Sequence, residues 1–234
     1  MNLFKREFNF RNQVASICIL CVVACSSSVK AQFSHWEKDI QHFEHLDSIE
    51  VYDEDAILFT GSSSIRLWST IKEDMVPYKI IQRGYGGAKL DDYLYYSKRI
   101  IYPHTFKAIV IFIANDISGA EDDKTPVEVQ QLFAELVEII REKYTKIPIF
   151  WIEITPTNSR WKVWPEVSKA NQLIKEICDD LENVYFIATS HASLSNEGKP
   201  KSELFVDDQL HLNREGYRIW SGIIKDAIER NTDI

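Results

Sequence analysis

AIVIFIA, residues 108–114, is an unbroken apolar run with no polar residue alternating into it. Such a run reads as a β-strand covered on both faces, the pattern of a parallel sheet packed between helices. Four more runs share its character: AILFT (56–60), YKII (78–81), IPIFWIEI (147–154) and NVYFIA (183–188). Helical patterns separate them: IRLWSTI (65–71), LDDYLYYSKRII (90–101), VEVQQLFAELVEIIREKY (127–144) and EVSKANQLIKEICDDL (166–181). An N-terminal helix is expected in FSHWEKDIQHFEHLDSI (33–49), with Trp36, Ile40 and Phe43 at helical spacing, and NREGYRIWSGIIKDAIER (213–230) forms the last. Strands alternating with helices predict an α/β layer fold around a five-stranded parallel sheet.

Sheets of this kind bind ligands beyond the carboxyl ends of their strands, so the loops there carry the functional reading. The first strand runs into Gly61-Ser62-Ser63-Ser64, the second into QRGYGGAKL with Gly84, Gly86 and Gly87, and the third into IANDIS with Asn115 and Asp116. FVDDQLHLNREGY, just before the last helix, holds Asp208 and His211. Each has an ordinary explanation: serines cap helices, glycines turn, Asn-Asp caps, and Asp-x-x-His is a surface pattern.

Their conjunction at one sheet edge suggests chemistry. A serine hydroxyl becomes a nucleophile when a base takes its proton. Histidine suits that role, and a carboxylate on its other nitrogen fixes the tautomer. A spacing of three in a turn sets Asp208 beside His211. Backbone N–H groups freed by glycine and a fixed side-chain amide can stabilise the developing oxyanion.

FTGSSSIRLW, RGYGG, ANDI and DDQLHLNREGY, in that order, resemble the four blocks of the SGNH or GDSL-type hydrolases. The resemblance spans about residues 33–230. It implies a three-layer, flavodoxin-like α/β/α fold and ester hydrolysis. It places the nucleophile on Ser63, completes a triad with Asp208 and His211, and forms the oxyanion hole from the N–H groups of Ser63 and Gly87 and the Asn115 amide. Two positions depart from the usual spelling: Ser62 stands where Asp is commonest, and Ile113 where the third block usually begins with Gly. The expected activity is a serine esterase for short acyl groups, acetyl esters of carbohydrates among them. Two other readings stay open: a non-catalytic carbohydrate-binding protein on the same scaffold, and an acyltransferase or lysophospholipase of the same family.

Residues 1–31 read as an export signal, leaving one domain over 32–234. Lys5, Arg6 and Arg11 precede the apolar run Val14–Ala24, which is too short to span a bilayer. Two processing sites compete. VVAC (22–25) resembles a lipobox that would leave Cys25 lipidated, and VKA (29–31) suits cleavage before Gln32. A periplasmic or cell-envelope location is expected. The formal charge is −8 for the whole chain and −10 without residues 1–24, which argues against nucleic acid and favours a small-molecule or carbohydrate ester. Cys178 is the lone cysteine after the signal and falls on the apolar face of its helix. No cofactor or metal is expected. His35, His42 and His45 cluster loosely on one polar helix and read as solvated, and GYGGAK fits no phosphate-binding fingerprint. The Gly-x-Ser-x-Gly elbow fits poorly, because residue 65 is Ile and the acid lies only three residues from the base. Trp151, Trp161 and Trp164 are open between core filling and lining a substrate groove.

Overall fold

Five strands pair in parallel in the order β2-β1-β3-β4-β5, with β1 at Ile57–Gly61, β2 at Ile80–Gly84, β3 at Ala108–Phe112, β4 at Ile149–Ile152 and β5 at Val184–Ile187. The structure is a computed structural model that describes residues 33–234. The expected export signal, Cys25 and both candidate processing sites lie outside the described residues. Residues 42–234 form one compact unit. Residues 33–41 contribute the short turn Ser34–Trp36 and the beginning of α1 (Glu37–Ile49). The remaining helices are α2 (Ser63–Arg66), α3 (Ile71–Asp74), α4 (Leu90–Ile101), α5 (Pro126–Lys143), α6 (Trp164–Asp180), α7 (Ser190–Ser193) and α8 (Arg214–Asn231).

The apolar runs became strands that bury both faces of the sheet, fully in β1, β3 and β4 and less completely at the edge strands β2 and β5. β1 and β3 are buried at every residue. Alternate residues point opposite ways. Ile57, Phe59, Val110, Phe112, Phe150 and Ile152 join one core cluster with Trp220, Ile224 and Ile228 of α8. On the other face α4, α5 and α6 pack side by side, and Phe133 of α5 meets Trp151 of β4 at 5.0 Å between ring centroids. Cys178 of α6 is buried, and burial pushes its thiol up to about 12, as suits a core residue.

Local signals set the helix ends. Thr125 and Glu128 form a capping box at the start of α5, with Pro126 in its first turn. Asn213 Oδ1 accepts from Glu215 N–H and Gly216 N–H to start α8. IRLWSTI, expected as one helix, is instead split: α2 ends at Arg66 and α3 begins at Ile71. Trp68 lies between them, fully buried, and its indole N–H donates to Asp74 at 2.8 Å. Burying that ring breaks the helix and restarts it.

The sheet order places the site. From β1 the chain moves one way to β2, then crosses back to β3 on the other side of β1. Between β1 and β3 the connections diverge, which opens a crevice at the carboxyl edge. The β1 loop carries Ser63 and the β3 loop carries Asn115.

Candidate active site

Gly61 ends β1 at φ +126°, and a Cβ there would sit 2.0 Å from the carbonyl oxygen of Phe112. Only glycine allows that approach, which lets Ser62 N–H donate to Phe112 O at 2.8 Å and turns the chain sharply out of the sheet. Of the three serines that follow, Ser62 and Ser64 are buried, at 1% and 8% exposure. Ser63 is half-buried at the mouth of a cavity. Its Oγ lies 2.8 Å from His211 Nε2.

The turn 206–212 delivers His211. Val206 N–H donates to His211 O, Gln209 N–H donates to Val206 O, and Gln209 takes a left-handed φ of +54°. The turn folds Asp208 back onto His211. Asp208 Oδ2 lies 2.6 Å from His211 Nδ1, and Oδ1 accepts from the backbone N–H of Leu210 and of His211, both at 2.9 Å. Partial burial pushes Asp208 up. The bonds from the His211 ring and from the His211 and Leu210 N–H groups outweigh it and hold the carboxyl at about 2. Ionised, it only accepts, so Nδ1–H donates to it, which turns Nε2 towards the Ser63 hydroxyl. The arrangement can move a proton from hydroxyl to ring.

Packing of α8 fixes this turn against the serine loop. Tyr217 Oη donates to Ser64 O at 2.8 Å, and its ring stacks on Trp68 at 5.1 Å. Sequence reasoning missed Tyr217, because nothing in the pattern separates a core tyrosine from one that clamps a loop.

Asn115 lies on the cavity wall with Ser63 and His211. Its Nδ2 donates to Ala88 O at 2.9 Å. The neighbouring Asp116 points into the protein, where it accepts from Leu90 N–H at the start of α4 and pairs with Lys124. So one residue of the Asn-Asp pair caps a helix and the other faces the site. Ile113 is fully buried and has no positive φ, so the chain reaches Asn115 without needing glycine there.

Gly87 is placed differently. It turns at φ +72° beside Ala88, but it is not among the residues lining the cavity. The N–H groups of Ser63 and Gly87 have no protein acceptor among the described residues.

The cavity has a volume of about 30 Å³, and its remaining wall includes Ile117, Ile154, Trp164 and Val167. Trp161 stacks on Trp164 at 6.2 Å, and Lys199 lies 4.8 Å over the Trp161 ring. Trp151 is wholly in the core. Of the three tryptophans, then, Trp164 lines the site, Trp161 supports it and Trp151 only fills. The β4 loop also brings in Arg160, whose Nη2 donates to Asn115 Oδ1 at 2.7 Å. Sequence reasoning did not single it out. Its position beyond a strand's carboxyl end was the available signal, but arginines in loops are usually solvated.

A family model for GDSL-like lipases/acylhydrolases matches residues 60–219. Among solved structures, the chain is similar to a Streptococcus pneumonia protein named for platelet activating factor, at 22% identity over 88% of this chain and 98% of that one, with a TM-score of 0.73. A GDSL-like lipase from Bacteroides thetaiotaomicron VPI-5482 matches at 18% identity over 82% and 98%, with a TM-score of 0.67. The lipase/acylhydrolase from Enterococcus faecalis matches at 18% identity over 77% and 100%, with a TM-score of 0.60. At these identities the likeness of structures is one of fold. No curated protein matches the chain.

Proposed function

Since the chain belongs to the GDSL-like lipase/acylhydrolase family and is an ester hydrolase, we propose that it is an exported serine esterase acting on short acyl esters, with Ser63, His211 and Asp208 as its triad. The observation that carries this reading is the hydrogen-bonded relay from Ser63 Oγ to His211 Nε2 at 2.8 Å and from His211 Nδ1 to Asp208 Oδ2 at 2.6 Å.

Ser63 Oγ attacks the ester carbonyl carbon as His211 Nε2 takes its proton. The carbonyl oxygen becomes an oxyanion, which accepts from Ser63 N–H and the free N–H of the Asn115 amide on the cavity wall, with Gly87 N–H beside the cavity as the third proposed donor. His211 then gives its proton to the leaving alkoxide, and the C–O bond to the alcohol breaks. Water, deprotonated by the same ring, attacks the acyl-serine and releases the acid and the Ser63 hydroxyl.

The size of the cavity supports a short acyl group. At about 30 Å³ it admits roughly two water-sized groups, which suits acetyl as the acyl portion. The half-buried Trp161–Trp164 pair at its edge suits the apolar face of a sugar as the alcohol portion. Export is inferred from Lys5, Arg6, Arg11 and the apolar run that follows. Steady-state rates on p-nitrophenyl esters from acetyl to palmitoyl test the substrate reading. Turnover is expected to be highest for acetyl and to fall with chain length, whereas faster turnover of long chains contradicts it.

A further inference from the structure

Arg160 reaches from the β4 loop to the root of the β3 loop. Its Nη2 donates to Asn115 Oδ1 at 2.7 Å and its Nη1 to Ala114 O at 2.6 Å. The side chain is half-buried on the cavity wall, and both acceptors are neutral carbonyl oxygens. Burial lowers the Arg160 pKa and the Asp123 carboxylate opposes this without forming an ion pair, so holding this partly desolvated cation on neutral acceptors does little for stability. We propose that Arg160 is a positioning residue for the esterase reaction, fixing and polarising the Asn115 amide. The inference rests on the reading of Asn115 as an oxyanion donor.

Three consequences of the geometry support it. A guanidinium only donates, so the amide oxygen must face it, and a flipped Asn115 would set two donors against each other. With Oδ1 on Arg160 and one Nδ2–H on Ala88 O, the planar amide has one N–H left and one direction in which to point it. A cation on the carbonyl oxygen also draws electron density from the nitrogen, so the remaining N–H becomes the stronger donor of a polarised chain. The bond to Ala114 O holds the backbone beneath. Ala88 adjoins Gly87, so the same chain of bonds links Asn115 to the loop carrying the other proposed donor.

The β4 loop does a second, separable job. Asn158 Nδ2 donates to Gln209 Oε1 at 2.9 Å, and Ser159 N–H to Gln209 O at 3.2 Å, bracing the turn that carries His211. A general disturbance of this loop would therefore loosen the base as well as the amide. The test must show that Arg160 acts through Asn115.

The experiment measures kcat and KM on p-nitrophenyl acetate for Arg160→Met, Asn115→Ala and the double variant, with melting temperatures as the check on folding. Asn115→Ala is expected to lower kcat about 10²–10³-fold. Arg160→Met is expected to lower kcat about 10–100-fold with KM nearly unchanged. The double variant should be within about threefold of Asn115→Ala alone, since the residue through which Arg160 acts is already gone. Arg160→Lys keeps the charge but loses the planar fork that spans the two acceptors. Its loss should be about 3–10-fold, and should also vanish in the Asn115→Ala background, which carries the test if the methionine variant does not fold. Losses that multiply in the double variant would show that Arg160 acts independently of Asn115, and would overturn the proposal while leaving the oxyanion reading intact. Asn115→Ala with wild-type kcat would overturn both.

Discussion

Ser63, His211 and Asp208 stand 148 and 3 residues apart in pairs, yet they form one hydrogen-bonded line. Their parts are unequal, and substitution should show it. Asp208→Asn keeps the shape but offers an amide to Nδ1, so the ring can adopt the wrong tautomer. A kcat lower by about 10³–10⁴-fold is expected on p-nitrophenyl acetate, and a loss under tenfold would remove Asp208 from the mechanism. Because Asp208 is held at about 2, no loss of activity between pH 4 and pH 8 should arise from its protonation. Comparison of the Asp208→Asn and wild-type pH profiles checks this. Each of these residues has an ordinary explanation taken alone, and the sequence singled them out only through their conjunction and the resemblance of their blocks to the SGNH hydrolases. Arg160 was not singled out, since its importance lies in where a loop folds back. Tyr217 was hidden in the same way, among the core positions of α8.

Strands and their exits explain why the site is where it is. Five apolar runs gave five strands, and the loops after β1 and β3 meet where the sheet order diverges. Gly61 is the joint on which that depends. Gly61→Ala would drive a Cβ into Phe112 O and force an unfavourable φ. The expected cost is about 3 kcal/mol or more, read by thermal denaturation as a melting temperature about 6–12 °C lower. A change under about 2 °C would mean that the β1–β3 junction relaxes easily. Element boundaries were less legible than element identities. IRLWSTI has helical spacing, but spacing does not reveal that the Trp68 side chain will be buried across the turn and bonded to Asp74. Gly87 shows a similar limit. Its glycine-rich block marks a turn, whereas its place beside the cavity, not on its wall, follows from how β2 and α4 meet.

Across the whole molecule, the pH dependence of stability turns on buried titratable groups away from the site. Arg83 on β2, 2% exposed, pairs with Asp47 of α1 and bonds Tyr52 Oη at 2.6 Å, with His104 beside them. Burial lowers His104 from 6.5 to about 4, with Arg83 and Lys143 adding to the effect and Asp47 opposing it. Between those values the folded state binds fewer protons than the unfolded one. The His104 contribution is therefore complete above pH 6.5 and lost as pH falls towards 4. Asp92 works in the opposite sense: burial raises it to about 7, so its contribution is complete below 3.8 and lost as pH rises through 7. The melting temperature of His104→Gln should accordingly fall less between pH 6.5 and pH 4 than that of the wild type, and equal slopes would contradict this. None of this network was visible in the sequence, where His104 has no partner nearby. The layered fold was visible, because burial of both sheet faces leaves its mark on composition as well as on spacing. The central claim, that one hydroxyl of the serine triplet is activated by His211, is tested most directly by fluorophosphonate labelling with peptide mapping of the protein. A single adduct on Ser63, lost in both Ser63→Ala and His211→Ala, is the predicted result. Labelling at Ser62 or Ser64, or no labelling of the folded wild type, would contradict it.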